Sequence, residues 1–394
     1  MTSGGLGELL AGARVCVCGG SGGVGKTTTA AAIALGMAAG GARVAVVTID
    51  PARRLANALG LDELENEPRR VDPDRLGEGT RGELWAMMLD PKRTFDELIE
   101  RLAPSAERAE EIKRNRIYRE LSSAVSGSQE FTAVAKLHEL AREGDFDLLV
   151  LDTPPSRNAL DFLEAPGRLT SFLEGSALRT LIRPTGIGMR VLGRGASPLL
   201  GALRRVTGLD LLGDLSTFFA LLGDMTEDFS TRAADVERLL HAPTTEFLLV
   251  TAASGPAIEE TIWFRRTLDQ TGLQFGGAIV NRVHPDRLAG RAQTGETAQA
   301  GETARAGDAL AQLLPADLAS RVASALTDDQ VLARRDGRNL ARLTAELGGA
   351  DGPPIIRVPQ LDGDVHDVAG LERVRAFLFA SESEREQMIA ELAG

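Results

Sequence analysis

One short segment near the N-terminus constrains this chain more than any other: residues 20–27 read Gly-Ser-Gly-Gly-Val-Gly-Lys-Thr. This is the full pattern of a phosphate-binding loop, whose backbone amides and lysine surround phosphate groups. Residues 14–19 before it form an apolar run, and residues 28–37 after it favour a helix. A glycine loop between a strand and a helix N-terminus attracts phosphate. We therefore predict a nucleotide-phosphate site rather than a structural glycine turn, formed by Gly20, Ser21, Gly22, Gly23, Val24, Gly25, Lys26 and Thr27.

The basic residue of this loop is notable because lysine is rare in the chain. Of the 44 basic residues only four are lysines, namely Lys26, Lys92, Lys113 and Lys136. A compact ammonium fits between the β- and γ-phosphates of a nucleotide, whereas the planar guanidinium of arginine does not fit the same space. We therefore predict that Lys26 acts directly on the phosphates.

Net charge and cysteine content argue against several classes of function. The chain has 394 residues and a formal net charge of −12, so we expect no nucleic-acid partner bound through bulk electrostatics. We find no apolar run of about 18 residues and no secretory leader, so we expect a cytoplasmic protein. The two cysteines, Cys16 and Cys18, lie on one predicted strand, and we interpret them as core residues without a disulfide.

Six apolar runs predict buried strands: residues 14–19, 43–50, 147–152, 245–251, 275–281 and 354–359. The runs are nearly continuous rather than alternating, which is typical of strands buried on both faces of a parallel sheet. Helical stretches separate them, so we predict an α/β fold with a doubly wound, mostly parallel sheet. Ligands of such folds gather at the carboxyl ends of the strands, where Gly20, Asp50, Asp152 and Asn281 fall.

We treat residues 1–394 as one domain with three interruptions. Residues 91–140 have a helical and charged pattern, residues 168–240 a helical and more apolar one, and we predict that the two form a helical subdomain beside the sheet. Residues 286–307 are rich in Gly, Thr and Ala, which indicates a flexible loop or a weak helix. Further helices are expected at residues 307–314, 318–348 and 381–392.

One stretch of the second interruption is positively charged, whereas the chain as a whole is negative. Residues 175–209 contain six arginines and no acidic residue, with large apolar residues between the arginines. Two interpretations stay open. The segment forms a client groove or a membrane-surface contact, or its arginines pair with acidic residues of the first interruption such as Glu107, Glu110 and Glu111.

Two aspartates at strand ends are candidates for the chemistry beside the phosphates. Mg²⁺ takes hard oxygen ligands, and Thr27 offers a hydroxyl. Asp152 ends an apolar strand and is the natural second group, acting through a metal-bound water; its alternative is a helix cap or a turn. Asp50 could hold the water that attacks the γ-phosphorus. The alternative for Asp50 is the N-cap of a helix that starts at Pro51.

Four segments together resemble the ArsA/GET-type ATPases, the arsenite-pump and tail-anchored-protein-targeting group. This group is a branch of the deviant Walker A ATPases, which also include MinD and ParA. The segments are residues 20–28, 50–55, 151–160, and 280–282 followed by 358–359. The resemblance spans residues from about 14 to about 380 and includes the helical interruptions.

The resemblance implies a P-loop fold, ATP as substrate and Mg²⁺ as cofactor. It implies that the phosphates and Mg²⁺ are held by Lys26, Thr27 and Thr28, and that Asp50 in the first switch orients water. Asp152 would open the second switch. The adenine base would be held by Asn281, Arg282 and Pro359.

The departures from the family pattern are also informative. The family usually has a lysine at the second loop position that reaches the ATP of a dimer partner, whereas this chain has Ser21. We therefore expect slow hydrolysis, a heterodimer whose paralogous subunit supplies the cation, or substitution by Arg53 or Arg54. One phosphate loop per chain implies that two chains associate. Arsenite binding needs thiolates, and Cys16 and Cys18 fall on a core strand, so we expect no stimulation by arsenite.

These observations predict a Mg²⁺-dependent ATP hydrolase that works as a nucleotide-driven dimeric switch and handles a client protein or a membrane component. The dimer is a homodimer or a heterodimer with a paralogue, and peripheral contact with the inner face of the membrane stays open. The alternatives are a ParA/MinD-like positioning ATPase and a P-loop kinase or ligase. The acidic segment at residues 381–392 argues against a basic membrane anchor of the MinD kind.

Overall fold

The six apolar runs of the sequence form six adjacent strands of an eight-stranded sheet. The structure is a computed structural model that describes residues 5–50, 52–77, 80–116, 118–119, 128–154, 221, 225–287, 314–349 and 352–393. The strands are β1 (Val15–Gly19), β2 (Arg43–Thr48), β3 (Arg69–Arg70), β4 (Glu83–Met88), β5 (Leu148–Asp152), β6 (Thr245–Ala252), β7 (Phe275–Val283) and β8 (Ile355–Pro359).

The sheet has the order β3-β4-β2-β5-β1-β6-β7-β8. All neighbouring pairs are parallel except β3 with β4, which is antiparallel. The six predicted strands are present, and the α/β class with a mostly parallel sheet is confirmed. We missed β3 and β4. The run of β4 contains Glu, Leu, Ala and Met, residues that favour helices, and pairing with β2 overrides that preference.

The described helices cover both faces of the sheet. They are α1 (Leu6–Leu9), α2 (Lys26–Ala39), α3 (Arg54–Ala58), α4 (Pro91–Leu102), α5 (Ala106–Arg114), α6 (Ser128–Glu143), α7 (Thr226–Leu240), α8 (Gly255–Thr271), α9 (Ala316–Glu346), α10 (Val368–Phe379) and α11 (Glu382–Ala393). None of them combines the length and the apolar character that crossing a lipid bilayer requires.

Alternate residues of the central strands enter two different cores. On β1, Cys16 and Cys18 pack into the core that contains α2 and α10, whereas Val15 and Val17 pack into the core that contains α6, α7 and α8. Both cysteines are buried and unpaired, as we predicted. Burial on both faces explains why these runs are apolar at every position.

The first predicted interruption is helical where it is described, over α4, α5 and most of α6. Within α5, Glu110 pairs with Lys113 and Glu111 pairs with Arg108. Of the second interruption, the described part includes α7. Residues 155–220, which contain the arginine-rich stretch, lie outside the described residues, as do 288–313. The flexible loop predicted there and the division into a subdomain therefore stay predictions.

The contact between α2 and α10 generates a test of the fold. Gly36 lies in the last turn of α2, and a Cβ atom at this position would overlap the ring of Phe379. We expect Gly36→Ala to lower the free energy of unfolding by about 1–3 kcal/mol through overpacking, less the gain of up to about 1 kcal/mol from the helix preference of alanine. Urea denaturation measures the change.

A second substitution separates the clash from other effects of the alanine. In a Phe379→Ala background the cost of Gly36→Ala should shrink or change sign, because the overlapping ring is gone. A Gly36→Ala protein as stable as its parent would contradict this account of the contact.

Candidate functional site

The glycines of the loop between β1 and α2 permit a close approach of backbone to neighbouring strands. Gly20, Gly23 and Gly25 all have positive φ angles, of 147°, 79° and 94°. A Cβ atom at Gly20 would overlap the carbonyl oxygen of Val250, and one at Gly25 would overlap the side-chain amide of Asn281. The two fixed glycines of the motif are therefore required where the loop contacts the carboxyl ends of β6 and β7.

Lys26 is the first residue of α2 and is almost fully buried, with 8% of its surface exposed. Its Nζ atom donates a hydrogen bond to the carbonyl oxygen of Ser21 at 2.8 Å, so the ammonium closes the loop. Burial lowers the pKa of Lys26, while the nearby carboxylates of Asp152, Glu260 and Asp50 act in the opposite direction. The ammonium thus lies in a partly desolvated position where an anion would be a strong partner.

Asp152 ends β5 with its side chain inside the protein, 1% exposed. Its Oδ2 atom accepts hydrogen bonds from the hydroxyls of Thr27 at 2.7 Å and Thr48 at 2.9 Å. Its Oδ1 atom is buried without a hydrogen-bond partner among the described residues. Burial raises the pKa of Asp152 to about 6, although both hydroxyls and Lys26 favour the charged form. A buried carboxylate with one unsatisfied oxygen is suited to receive a further donor or a hydrated cation.

Thr48, the last residue of β2, connects the two predicted aspartates. Its hydroxyl donates to Asp152 and accepts the backbone N–H of Asp50 at 3.2 Å. We had not identified Thr48 in the sequence. The available signal was a hydroxyl residue at the end of an otherwise apolar run. We also missed Glu260 on α8, whose charge acts on Lys26, because nothing in a helical pattern indicates which glutamate lies near the loop.

Asp50 lies just after β2 and makes local contacts. Its Oδ1 atom accepts the backbone N–H of Ala52 at 3.0 Å, and its Oδ2 atom lies 3.5 Å from Nη1 of Arg54. The alternative that Asp50 caps a helix starting at Pro51 is wrong. Helix α3 begins at Arg54, and its N-cap residue is Arg53, which has a left-handed backbone with a φ of 54°. The side chain of Asp50 stabilises a turn and remains 31% exposed at the loop edge.

The residues predicted for the base lie at the ends of β7 and β8. Asn281 is buried, donates from Nδ2 to the carbonyl oxygen of Val24 at 3.0 Å, and accepts the backbone N–H of Arg282 at its Oδ1 atom. Arg282 is exposed and has a φ of 57°. Pro359 is buried beside Val283 in the β7–β8 register. Asn281 therefore attaches this edge of the sheet to the phosphate loop.

The structure thus brings most of the predicted residues to one place. The loop contacts Asn281 directly, and the hydroxyl of Thr27 joins it to Asp152, which connects through Thr48 to Asp50. Gly22 and Gly23 are exposed at the tip of the loop, and Thr28 is half-buried in the first turn of α2. For Pro359 and the side chain of Arg282, the described contacts show no direct link to the loop.

Comparison with known proteins gives a consistent result. The sequence model of the anion-transporting ATPases matches residues 13–303, well over half of the chain. The putative arsenical pump-driving ATPase 1 of Aquifex aeolicus is 25% identical over 279 residues, 70% of this chain and 64% of the relative. The ATPase GET3 of Malassezia globosa is 30% identical over 156 residues, 40% of this chain and 43% of the relative.

A third relative, the ATPase get3 of Schizosaccharomyces pombe, is 25% identical over 240 residues, 58% of this chain and 64% of the relative. The chain therefore spans less than two thirds of the length of each of these proteins. The family match itself covers the phosphate loop, both aspartates and the end of β7. On this evidence the chain belongs to the anion-transporting ATPase family.

Proposed function

We propose that this chain is a Mg²⁺-dependent ATP hydrolase that works as a dimeric, nucleotide-driven switch and handles a client protein or a membrane component. The observation that carries the proposal is the convergence of Lys26, Thr27 and Asp152 on one glycine loop. In phosphoryl transfer the protein mainly positions groups and stabilises charge, and these residues supply what that requires.

The residues at the loop fit a magnesium ion. The buried Oδ1 atom of Asp152 has no hydrogen-bond partner among the described residues, and the Thr27 hydroxyl lies beside the same carboxylate. Within the described ranges no group of three or more His, Cys, Asp or Glu side chains could hold a metal. Thr27 would therefore bind Mg²⁺ directly and Asp152 through water, with the rest of the shell from phosphate and water, as Mg²⁺ prefers. Bound Mg²⁺ would neutralise charge on the phosphates.

Asp50 is proposed to orient the attacking water. Its backbone N–H is bonded to Thr48, whose hydroxyl also binds Asp152. One hydroxyl thus connects the carboxylate proposed for the metal with the carboxylate proposed for water. Binding or loss of the metal at Asp152 would alter the hydrogen bonds of Thr48 and therefore the position of Asp50. Nucleotide-dependent segments respond to the γ-phosphate through contacts of this kind.

The dimer and the client follow from the family rather than from the described contacts. The resemblance to the ArsA/GET-type ATPases supports a switch that acts on clients, and the exposed loop tip at Gly22 and Gly23 is accessible to a second subunit. Self-association and a paralogous partner both fit. The arginine-rich residues 175–209 are the proposed client or membrane contact. The protein would work in the cytoplasm, with peripheral contact at the inner face of the membrane.

We propose that arsenite does not stimulate this ATPase. Soft metalloids bind thiolates. Cys16 and Cys18 are both 0% exposed inside the sheet, and their mutual hydrogen bond and burial raise the pKa of Cys18. Both side chains therefore pack as small apolar groups, away from a soluble ligand.

Two substitutions at the loop should have different effects. Lys26→Ala should weaken ATP binding, because it removes the ammonium at the phosphates. Asp50→Asn should bind ATP normally and lower kcat by about 10²-fold, because only the positioning of water is lost. Calorimetry measures the binding, and release of phosphate from ATP measures turnover. A chain that transfers phosphate to an acceptor other than water would contradict the hydrolase.

A separate experiment tests whether the chain hydrolyses ATP slowly when it is alone. If a paralogous subunit supplies the cation that Ser21 does not, the chain should turn over slowly when purified alone and faster with a co-purified paralogue that carries a lysine or arginine at that loop position. Phosphate release is measured with and without that subunit at a constant total concentration. Equal, fast rates in both samples would count against the heterodimer.

The raised pKa of Asp152 predicts a pH-dependent stability. Because the folded-state pKa of about 6 exceeds the usual value of 3.8, the folded protein holds a proton more tightly, and stability is lost as pH rises through about 6. The two pKa values differ by about two units, so Asp152→Asn should stabilise the metal-free protein by about 1–3 kcal/mol at about pH 7.5, and by less at about pH 5. The Mg²⁺-dependent part of nucleotide binding should disappear in the same variant.

Thermal denaturation at both pH values measures the first effect, and calorimetry with and without Mg²⁺ measures the second. The matched control is Asp145→Asn, because the side chain of Asp145 is 93% exposed before β5. This control should change neither quantity. An Asp152→Asn protein that still needs Mg²⁺ for tight nucleotide binding would contradict the proposed metal site.

A further inference from the structure

The described site lacks one cation that stabilisation of a γ-phosphate calls for. Ser21 occupies the second position of the loop, and its hydroxyl oxygen is buried with no hydrogen-bond partner among the described residues. Lys26 is proposed to place one ammonium group at the phosphates. Charge that develops on the γ-phosphoryl oxygens during hydrolysis needs a further donor close by. Two neighbouring arginines, Arg53 and Arg54, follow Asp50 and are the nearest candidates in sequence.

The structure distinguishes these two arginines. Nη2 of Arg53 lies 3.2 Å from Oε1 of Glu63, so its guanidinium is directed to that carboxylate. Nη1 of Arg54 lies 3.5 Å from Oδ2 of Asp50, the residue proposed to orient water. Arg54 is therefore the arginine whose guanidinium lies at the carboxylate proposed to orient water.

We propose that Arg54 supplies, within its own subunit, the positive charge at the γ-phosphate that Ser21 does not provide. This inference rests on the proposed ATP hydrolysis. The side chain of Arg54 is 67% exposed, so solvent leaves it room to turn from Asp50 to an incoming triphosphate. Exposed ion pairs of this kind contribute little to stability, and a guanidinium can bind two phosphate oxygens at once.

The movement of Arg54 from Asp50 to the triphosphate has a consequence for Asp50. When Arg54 moves to the phosphate, Oδ2 of Asp50 loses its cation and becomes available to accept a hydrogen bond from water. That water oxygen then bonds to the γ-phosphorus, and the bond from γ-phosphorus to the bridging oxygen breaks. Its electron pair stays on the β-phosphate of ADP, and the water proton leaves with inorganic phosphate or solvent. Arg54 stabilises the charge on the γ-phosphoryl oxygens during this step.

The test compares variants of the two neighbouring arginines in the full chain. Arg54→Ala should lower kcat by about tenfold or more and leave the affinity for Mg²⁺–ADP unchanged, because the contact is made in the transition state. It should weaken binding of ADP with aluminium fluoride, which imitates the transferring phosphoryl group. Arg54→Lys should retain part of the activity. Arg53→Ala, the matched control, should behave as the parent chain does.

A second substitution tests whether the missing loop cation is what Arg54 replaces. Ser21→Lys introduced into the Arg54→Ala chain should restore turnover. The restored turnover should rise with protein concentration if the new lysine acts across a dimer, whereas turnover of the parent chain depends on Arg54 in the same subunit. Failure of Ser21→Lys to restore any turnover would count against this equivalence.

These experiments distinguish a failure of the proposed ATP hydrolysis from a failure of the proposed role of Arg54. A parent chain that binds no Mg²⁺–ADP contradicts the proposed function itself. A parent chain that binds Mg²⁺–ADP, while Arg54→Ala equals it in turnover and in the fluoride complex, overturns only the role of Arg54. A faster Arg54→Ala chain, or one that loses ADP affinity as much as turnover, also overturns that role, because Arg54 would then restrain Asp50 or bind the ground state.

Discussion

The buried carboxylate of Asp152 is the interaction on which the arrangement of this molecule's site depends. Its Oδ2 atom receives hydroxyl hydrogen bonds from Thr27, at the start of α2, and from Thr48, at the end of β2. The start of α2 and the ends of β2 and β5 are thereby joined at one oxygen atom. The cost is visible in the raised pKa of Asp152, which reflects a charge held away from water. A buried carboxylate of this kind lowers the stability of the fold, and proteins retain one where a ligand uses it.

Close packing against the backbone of the phosphate loop is the second constraint. The loop lies against the carbonyl of Val250 and the amide of Asn281, at distances that exclude any side chain at Gly20 and Gly25. Asn281 also donates to the carbonyl oxygen of Val24, so a hydrogen bond joins β7 to the loop. The edge proposed for the base and the site proposed for the phosphates are therefore in direct contact, while Asp50 and Arg54 on the other side are more exposed.

Much of this site was predictable, for identifiable reasons. The phosphate loop has a fixed spacing, and buried parallel strands read as apolar runs, so the loop, Asp50, Asp152 and Asn281 could be placed at one sheet edge. Thr48 and Glu260 could not be predicted, since a hydroxyl at the end of a strand and a glutamate on a helix are ordinary in sequence. The alternative of a helix that starts at Pro51 was also wrong. The segment after Asp50 adopts a turn and a left-handed residue at Arg53 before the helix begins.

By itself, the sequence determined the α/β class, the phosphate loop and the family resemblance, because these depend on local spacing and on the period of apolar residues. The tertiary structure alone decided which side chains meet. It directed Arg53 to Glu63 and Arg54 to Asp50, and it made β4 a strand despite residues that favour helices. The physical reason is that strand pairing joins segments distant in the chain, and that the choice between nearby acidic partners depends on the left-handed backbone at Arg53, which no periodic pattern records.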